Sequence, residues 1–170
     1  MTRVMVIGNA GGGKSTLCRQ LSALHGLPYH AVDRLQWRPG WVPTPEAEFR
    51  AAHEALIARK RWLIDGYGDW ASVERRLQAA DTIVFVDHPL WRHYWWAGKR
   101  QVKALFVGRP DGPEGCPMLP VTLRLFRMMW WLHREMRPRL LAAIEARRGA
   151  ARIVHIRSPR ELAAFAAAAA

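Results

Sequence analysis

Short apolar runs recur along the chain at intervals of about one strand-helix unit. Val4-Met5-Val6-Ile7, Trp62-Leu63-Ile64 and Thr82-Ile83-Val84-Phe85-Val86 are continuous, while Leu27 to Val32 and Arg152 to Ile156 are shorter or mixed. Between them the apolar residues fall at helical spacing, as in Leu17, Leu21, Leu24, then Phe49, Ala52, Leu56, then Val73, Leu77. Continuous apolar strands alternating with amphipathic helices predict an α/β fold with a parallel sheet covered on both faces. Such sheets bind ligands beyond the C-terminal ends of their strands. Asp33, Asp65 and Asp87 each follow one of these strands and are expected on that rim.

Turn and cap residues sharpen the boundaries. Thr44 is expected to cap a helix reaching about Arg59, with Pro45 at its first position and Glu46 and Glu48 in its first turn. A loop of tryptophan, glycine and proline spans Leu35 to Pro43. A helix from Pro89 to about Phe106 carries Trp91, Trp95 and Trp96, and a second from about Val121 to Arg148, bent or interrupted at Pro138, carries Trp130 and Trp131. Between them, Gly and Pro make up seven of the thirteen residues from Gly108 to Pro120, a composition that no regular element survives. Ser158-Pro159-Arg160-Glu161 reads as a capping box opening the alanine-rich final helix. The expected organisation is one domain over residues 1–170, with a lid inserted at about 106–120.

Gly8-Asn9-Ala10-Gly11-Gly12-Gly13-Lys14-Ser15-Thr16 fits a phosphate-binding loop, and it lies between a strand and a helix as that loop requires. Gly8, Gly11, Gly12 and Gly13 let backbone N–H groups turn inward around a phosphate chain. Lys14 adds charge, Ser15 and Thr16 open the helix, and the Ser15 hydroxyl is placed for a magnesium ion. A nucleoside triphosphate with Mg2+ is the expected ligand of this loop.

The formal charge is +12, from 26 Lys and Arg against 14 Asp and Glu, which points to an anionic partner. Much of the excess falls between Leu90 and Arg139, where a polyphosphate clamp and a nucleic-acid surface would both need it. No apolar run is long enough for a membrane helix, and the apolar N-terminal stretch reads as a strand; a cytoplasmic protein without a membrane partner is the expectation. Cys18 and Cys116 lack metal-ligand spacing, so reduced thiols and no structural zinc are expected.

The loop, Asp33, the Asp65-Gly66 step and a lid between two basic helices resemble the adenylate-kinase-like branch of the P-loop nucleoside monophosphate kinases. Trp37-Arg38-Pro39-Gly40-Trp41, Ile64-Asp65-Gly66 and Glu114-Gly115-Cys116-Pro117 are similar to the FlaR-related group, often labelled topology modulation proteins. The resemblance implies a three-layer P-loop NTPase fold with a five-stranded parallel sheet, and phosphoryl transfer from MgATP to a nucleotide or other small-molecule acceptor. It implies that Lys14 holds the transferring phosphate and that Ser15 binds magnesium with Asp65, Asp87 standing second. Asp33 would hold the acceptor, and Arg92, Arg100, Arg134 and Arg137 would close on the phosphate. The chain departs from AMP-specific enzymes by placing Tyr67-Gly68-Asp69-Trp70 where they carry a monophosphate-gripping arginine. Arg34 and Arg38 could substitute for that arginine, and Trp37 or Trp41 could stack on a base. A nucleotide-dependent nucleic-acid-binding or regulatory protein is the alternative, although no base-reading module is recognisable. The sequence leaves the oligomeric state open.

Overall fold

The computed structural model describes residues 1–107, 113–117 and 119–169, with the side chains of 103–107 and 119 excepted. Much of the expected lid at 106–120 therefore lies outside the described residues. The sheet contains β1 (Arg3–Gly8), β2 (Tyr29–Ala31), β5 (Trp62–Asp65), β6 (Thr82–Val86) and β7 (Arg152–Ile156), in the order β2-β5-β1-β6-β7. All four pairings are parallel. The fold is thus the expected five-stranded α/β sandwich, with β1 at the centre.

Alternation along the strands sends side chains into two cores. Met5, Ile7, Ile64, Ile83 and Phe85 pack with α3 (Glu46–Ile57), α4 (Trp70–Ala79) and α7 (Arg137–Glu145) through Phe49, Leu56, Val73, Leu77, Leu140 and Ile144. Val4, Val6, Leu63, Val84 and Val86 pack on the other face with Leu17 and Leu21 of α1 (Lys14–His25), and with Leu162 and Phe165 of α8 (Pro159–Ala168). Burial on both faces explains why these strands read as unbroken apolar runs.

Several local expectations change. Strand β2 stops at Ala31, and a short helix α2 (Val32–Gln36) follows, so Asp33 lies in a first helical turn and does not end a strand. The expected loop to Pro43 contains an antiparallel hairpin, β3 (Trp37–Arg38) with β4 (Val42–Pro43). Thr44 is not the cap of α3: its N–H donates to the Gln36 carbonyl at 2.9 Å, and Pro45 takes the capping position without a side-chain bond. The long helix expected to Arg148 is divided into α6 (Thr122–Trp131), a π-turn (Leu132–Met136) and α7. Pro138 lacks an N–H and its ring crowds the carbonyl four residues back, which places the break in the turn before it. The remaining helix, α5 (Leu90–Val107), matches its prediction. At α8 the capping box forms: Ser158 Oγ accepts from the Glu161 N–H at 3.2 Å, and Glu161 Oε2 accepts from the Arg157 N–H at 2.8 Å.

Candidate active site

The phosphate loop lies between the C-terminal end of β1 and α1, against α5. A Cβ on Gly8 would come within 2.1 Å of the Val86 carbonyl oxygen, and one on Gly11 within 2.5 Å of the His93 carbonyl oxygen. Gly11 also has φ 73° and Gly13 φ 80°. These positions require glycine on both steric and conformational grounds.

Two contacts anchor the loop from outside and one braces it within. Asn9 Nδ2 donates to the Met129 carbonyl of α6 at 2.7 Å, and Asn9 Oδ1 accepts from the Ala10 N–H. His93 Nδ1 lies 2.9 Å from the Ala10 carbonyl. That oxygen can only accept, so Nδ1 carries the proton. Burial, and then the Lys14 charge, lower the His93 pKa to about 4, which keeps the ring neutral near pH 7.

Helix α1 begins at Gly13 with no side-chain cap and no acid in its first turn. By contrast, Asp69 caps α4 and Ser158 caps α8. The free N–H groups and the dipole of α1 thus converge on the loop, where an anion would satisfy both. Lys14 Nζ donates to the Asn9 carbonyl at 2.9 Å, which holds the ammonium over the loop.

Next to it, Ser15 Oγ donates to Asp65 Oδ2 at 2.9 Å, and Tyr29 Oη donates to the same oxygen at 3.1 Å. Burial, and then the Asp65 charge, raise the Tyr29 pKa well above that of an ordinary phenol, so this hydroxyl stays a donor. A serine hydroxyl beside a carboxylate at the loop is the oxygen set that magnesium accepts when phosphates supply its remaining ligands. Among the described residues no cluster of three or more His, Cys, Asp or Glu could hold a metal by itself.

The segment after Asp65 is held from below by Arg76. Its guanidinium is fully buried and donates to the carbonyls of Gly66 at 2.7 Å, Tyr67, and Ser72 at 3.2 Å. Burial lowers the Arg76 pKa to about 10, with Asp65 the leading charge opposing the shift, so the side chain remains cationic. Nothing local in the sequence marks this arginine; the signal available was its place in the buried stripe with Ser72 and Val73.

Lys14, Ser15, Asp65 and Asp33 line one cleft of about 510 Å³. The Asp33 carboxylate abuts the Asp65-Gly66 step: a Cβ on Gly66 would lie 3.8 Å from Asp33 Oδ1. Trp37 and Trp41 also line the cleft, their ring centroids 5.7 Å apart and edge to face. Of the arginines expected to close on the phosphate, Arg100 lines the cleft and the other three do not. Arg92 lies over the rings of Trp91 and Trp96, and Arg134 over Trp130. Arg137 pairs with Asp87 through Nε to Oδ1 at 2.7 Å and Nη2 to Oδ2 at 2.8 Å. In their place the cleft receives Arg124 and Arg139, with Trp70 and Trp131, none of which the sequence singled out as site residues. Arg34 is exposed outside the cleft, and Arg38 pairs with Glu48. Of the expected phosphate-binding residues, Gly8, Lys14 and Ser15 line the cleft, whereas Gly11, Gly12, Gly13 and Thr16 are not among its lining residues.

The PduV-EutP family model, described as ethanolamine utilisation - propanediol utilisation, matches residues 1–60, the part that contains the phosphate loop. No curated protein matches the chain. Among solved structures, shikimate kinase from Acinetobacter baumannii in complex with shikimate aligns with TM-score 0.60 and 17% identity, covering 99% of this chain and 90% of that one. A sugar kinase from Janibacter sp. gives 0.55 and 16%, covering 99% and 94%. A gluconokinase from Sinorhizobium meliloti gives 0.53 and 17%, covering 99% and 89%. At these identities the similarity shows the fold: the chain has the α/β fold of P-loop kinases.

Proposed function

We propose that this protein is a P-loop kinase that transfers the terminal phosphoryl group of MgATP to a small-molecule acceptor, at a hydroxyl or, in a nucleotide, at a phosphate oxygen. The observation that carries the reading is the convergence of Lys14, Ser15, Asp65 and Asp33 on one cleft at the uncapped start of α1. Similarity to shikimate kinase, gluconokinase and sugar kinase folds supports the same class. Gly8 to Gly13 and the start of α1 bind the phosphate chain, and Lys14 neutralises the group in transfer. Ser15 and Asp65 would hold magnesium, whose charge offsets that of the phosphates. Asp33 orients the acceptor hydroxyl and takes its proton, and Arg100 faces the transferring group from α5. Most of the rate enhancement comes from positioning, because the transfer asks little covalent work of side chains.

An ADP-release assay across hydroxy acids, sugars, nucleosides and nucleoside monophosphates tests the proposal. Turnover of one class, abolished by Lys14→Ala and reduced at least a hundredfold by Asp33→Asn, is the expected result. Intact MgATP binding with no turnover anywhere counts against it.

The alternative, a nucleotide-dependent nucleic-acid-binding protein, rests on exposed Trp91 and Trp95, over whose rings Arg92 and Lys99 lie at 4.6 and 4.8 Å. It requires affinity that falls about one log unit per log unit of salt for each phosphate contacted. Absence of binding at moderate salt removes it.

A further inference from the structure

The acceptor half of the cleft has a chemistry of its own. Its walls away from the phosphate loop are mainly Trp37, Trp41, Trp70 and Trp131 with Leu125, Met128 and Met136; Gln36 and Asp69 add polar groups, and Arg124 and Arg139 from α6 and α7 line it as cations. Both guanidiniums lie over indoles: Arg139 is 3.9 Å from the Trp70 ring centroid and Arg124 is 6.0 Å from that of Trp37. The donors of a planar guanidinium point outward from its edge, so stacking on a ring does not engage them; Arg139 Nη2 lies 3.9 Å from Glu74 Oε1, and a guanidinium has further donors for a ligand anion. Asp33 supplies an acceptor for a hydroxyl near the loop.

A small polyol fits these walls badly. Each hydroxyl turned toward an indole or a thioether would lose its water without gaining a partner. A planar ring loses little against the same walls and gains stacking on indole or guanidinium faces.

We infer that the acceptor is a planar aromatic compound with one anionic group and one reactive hydroxyl: the ring held among the tryptophans, the anion by Arg124 and Arg139, the hydroxyl by Asp33. This deepens the kinase reading and rests on it for the phosphoryl step, in which the acceptor oxygen bonds to the terminal phosphorus, the bond to ADP breaks, and the hydroxyl proton passes to Asp33. The inference separates this cleft from one built for shikimate or gluconate, which carry several hydroxyls and no aromatic ring.

A matched set of probes tests it on the full chain, with the donor site saturated by a non-hydrolysable ATP analogue and Mg2+. Gallate has a flat ring and a carboxylate, shikimate keeps the carboxylate and three hydroxyls on a non-aromatic ring, and pyrogallol keeps the flat ring without the anion. Dissociation constants from NMR titration are expected to favour gallate over each of the others by about fivefold or more. Trp131→Ala is expected to remove the advantage over shikimate, and Arg124→Gln to reduce the advantage over pyrogallol. Both residues are exposed in part, so the variants fold, and Trp131→Phe should retain the ring preference. Shikimate binding as tightly as gallate, no measurable gallate binding, or unchanged ratios in both variants overturns the inference. ADP release read in parallel separates the two readings. Turnover of non-aromatic hydroxy acids without ring preference overturns this inference and leaves the kinase assignment standing. Ring preference with no turnover of any acceptor does the reverse.

Discussion

Asp65 ends β5 and Asp87 immediately follows β6, the two strands that flank β1, yet the structure uses them differently. Asp65 is met by two neutral hydroxyls, Ser15 and Tyr29, and opens onto the cleft. Asp87 is met by the Arg137 guanidinium and by His155 Nε2 at 2.8 Å, with only 5% of its side chain exposed. Asp65 has hydroxyls as its hydrogen-bond partners and feels the buried Arg76 guanidinium only through charge, so its oxygens are not bound up in a guanidinium pair. Asp87, already engaged by a guanidinium, acts as a clamp between β6, α7 and β7. On the proposed function the magnesium role would fall to Asp65, while Arg137, expected to close on phosphate, pairs with Asp87 in the clamp.

Asp65→Asn should break the active side of this contrast most sharply: activity lowered about a hundredfold or more with a thermal midpoint within a few degrees of the parent. If activity survives and stability collapses, the two carboxylates have been assigned the wrong way round. Asp87→Asn should do the opposite, costing about 2 kcal/mol in denaturant unfolding while leaving kcat within about threefold. That figure is at the low end for a broken pair because the Arg137 side chain is 38% exposed and water screens it.

A smaller effect is expected from pH. Burial works to raise the Asp87 pKa, but the hydrogen bonds and charges of Arg137 and His155 overcome it and hold the group below the ordinary carboxylate value. A carboxylate depressed in the folded state contributes stability above its unfolded pKa of about 3.9, and that contribution disappears as pH falls through the folded value. Urea unfolding of the parent should lose stability below about pH 4, and Asp87→Asn should show a shallower loss over the same range. Equal slopes would show that the clamp is not linked to protonation. Smallest is Tyr29→Phe, which removes one hydroxyl from Asp65; about 1 kcal/mol of stability and less than a tenfold change in activity are expected.

The strands, the phosphate loop and the pairing of Ser15 with Asp65 were legible because each rests on a short pattern: an apolar run, a glycine spacing, an acid closing a strand beside the loop strand. Arg137 could not be placed that way. It stands in a basic helix whose residues look alike in sequence, and its partner lies 50 positions away. For the same reason Arg124 and Arg139 went unnoticed while Arg92 and Arg134, equally basic, were expected at the site. The rotation of α6 and the π-turn before Pro138 decide which of these side chains face the cleft. Asp33 was correctly associated with the rim region but misread as the end of a strand, because the turn of helix α2 is too short to leave a periodic signal.

The sequence by itself determined the phosphate loop and the alternation that builds a parallel sheet around it, since both depend on backbone geometry and burial encoded over a few adjacent residues. Long-range packing settled which carboxylate pairs with an arginine, which arginines line the cleft and that tryptophans contribute to its walls. Those outcomes depend on pairings between residues 50 or more positions apart, such as Asp87 with Arg137 and Asn9 with Met129, which form only once the helices have packed.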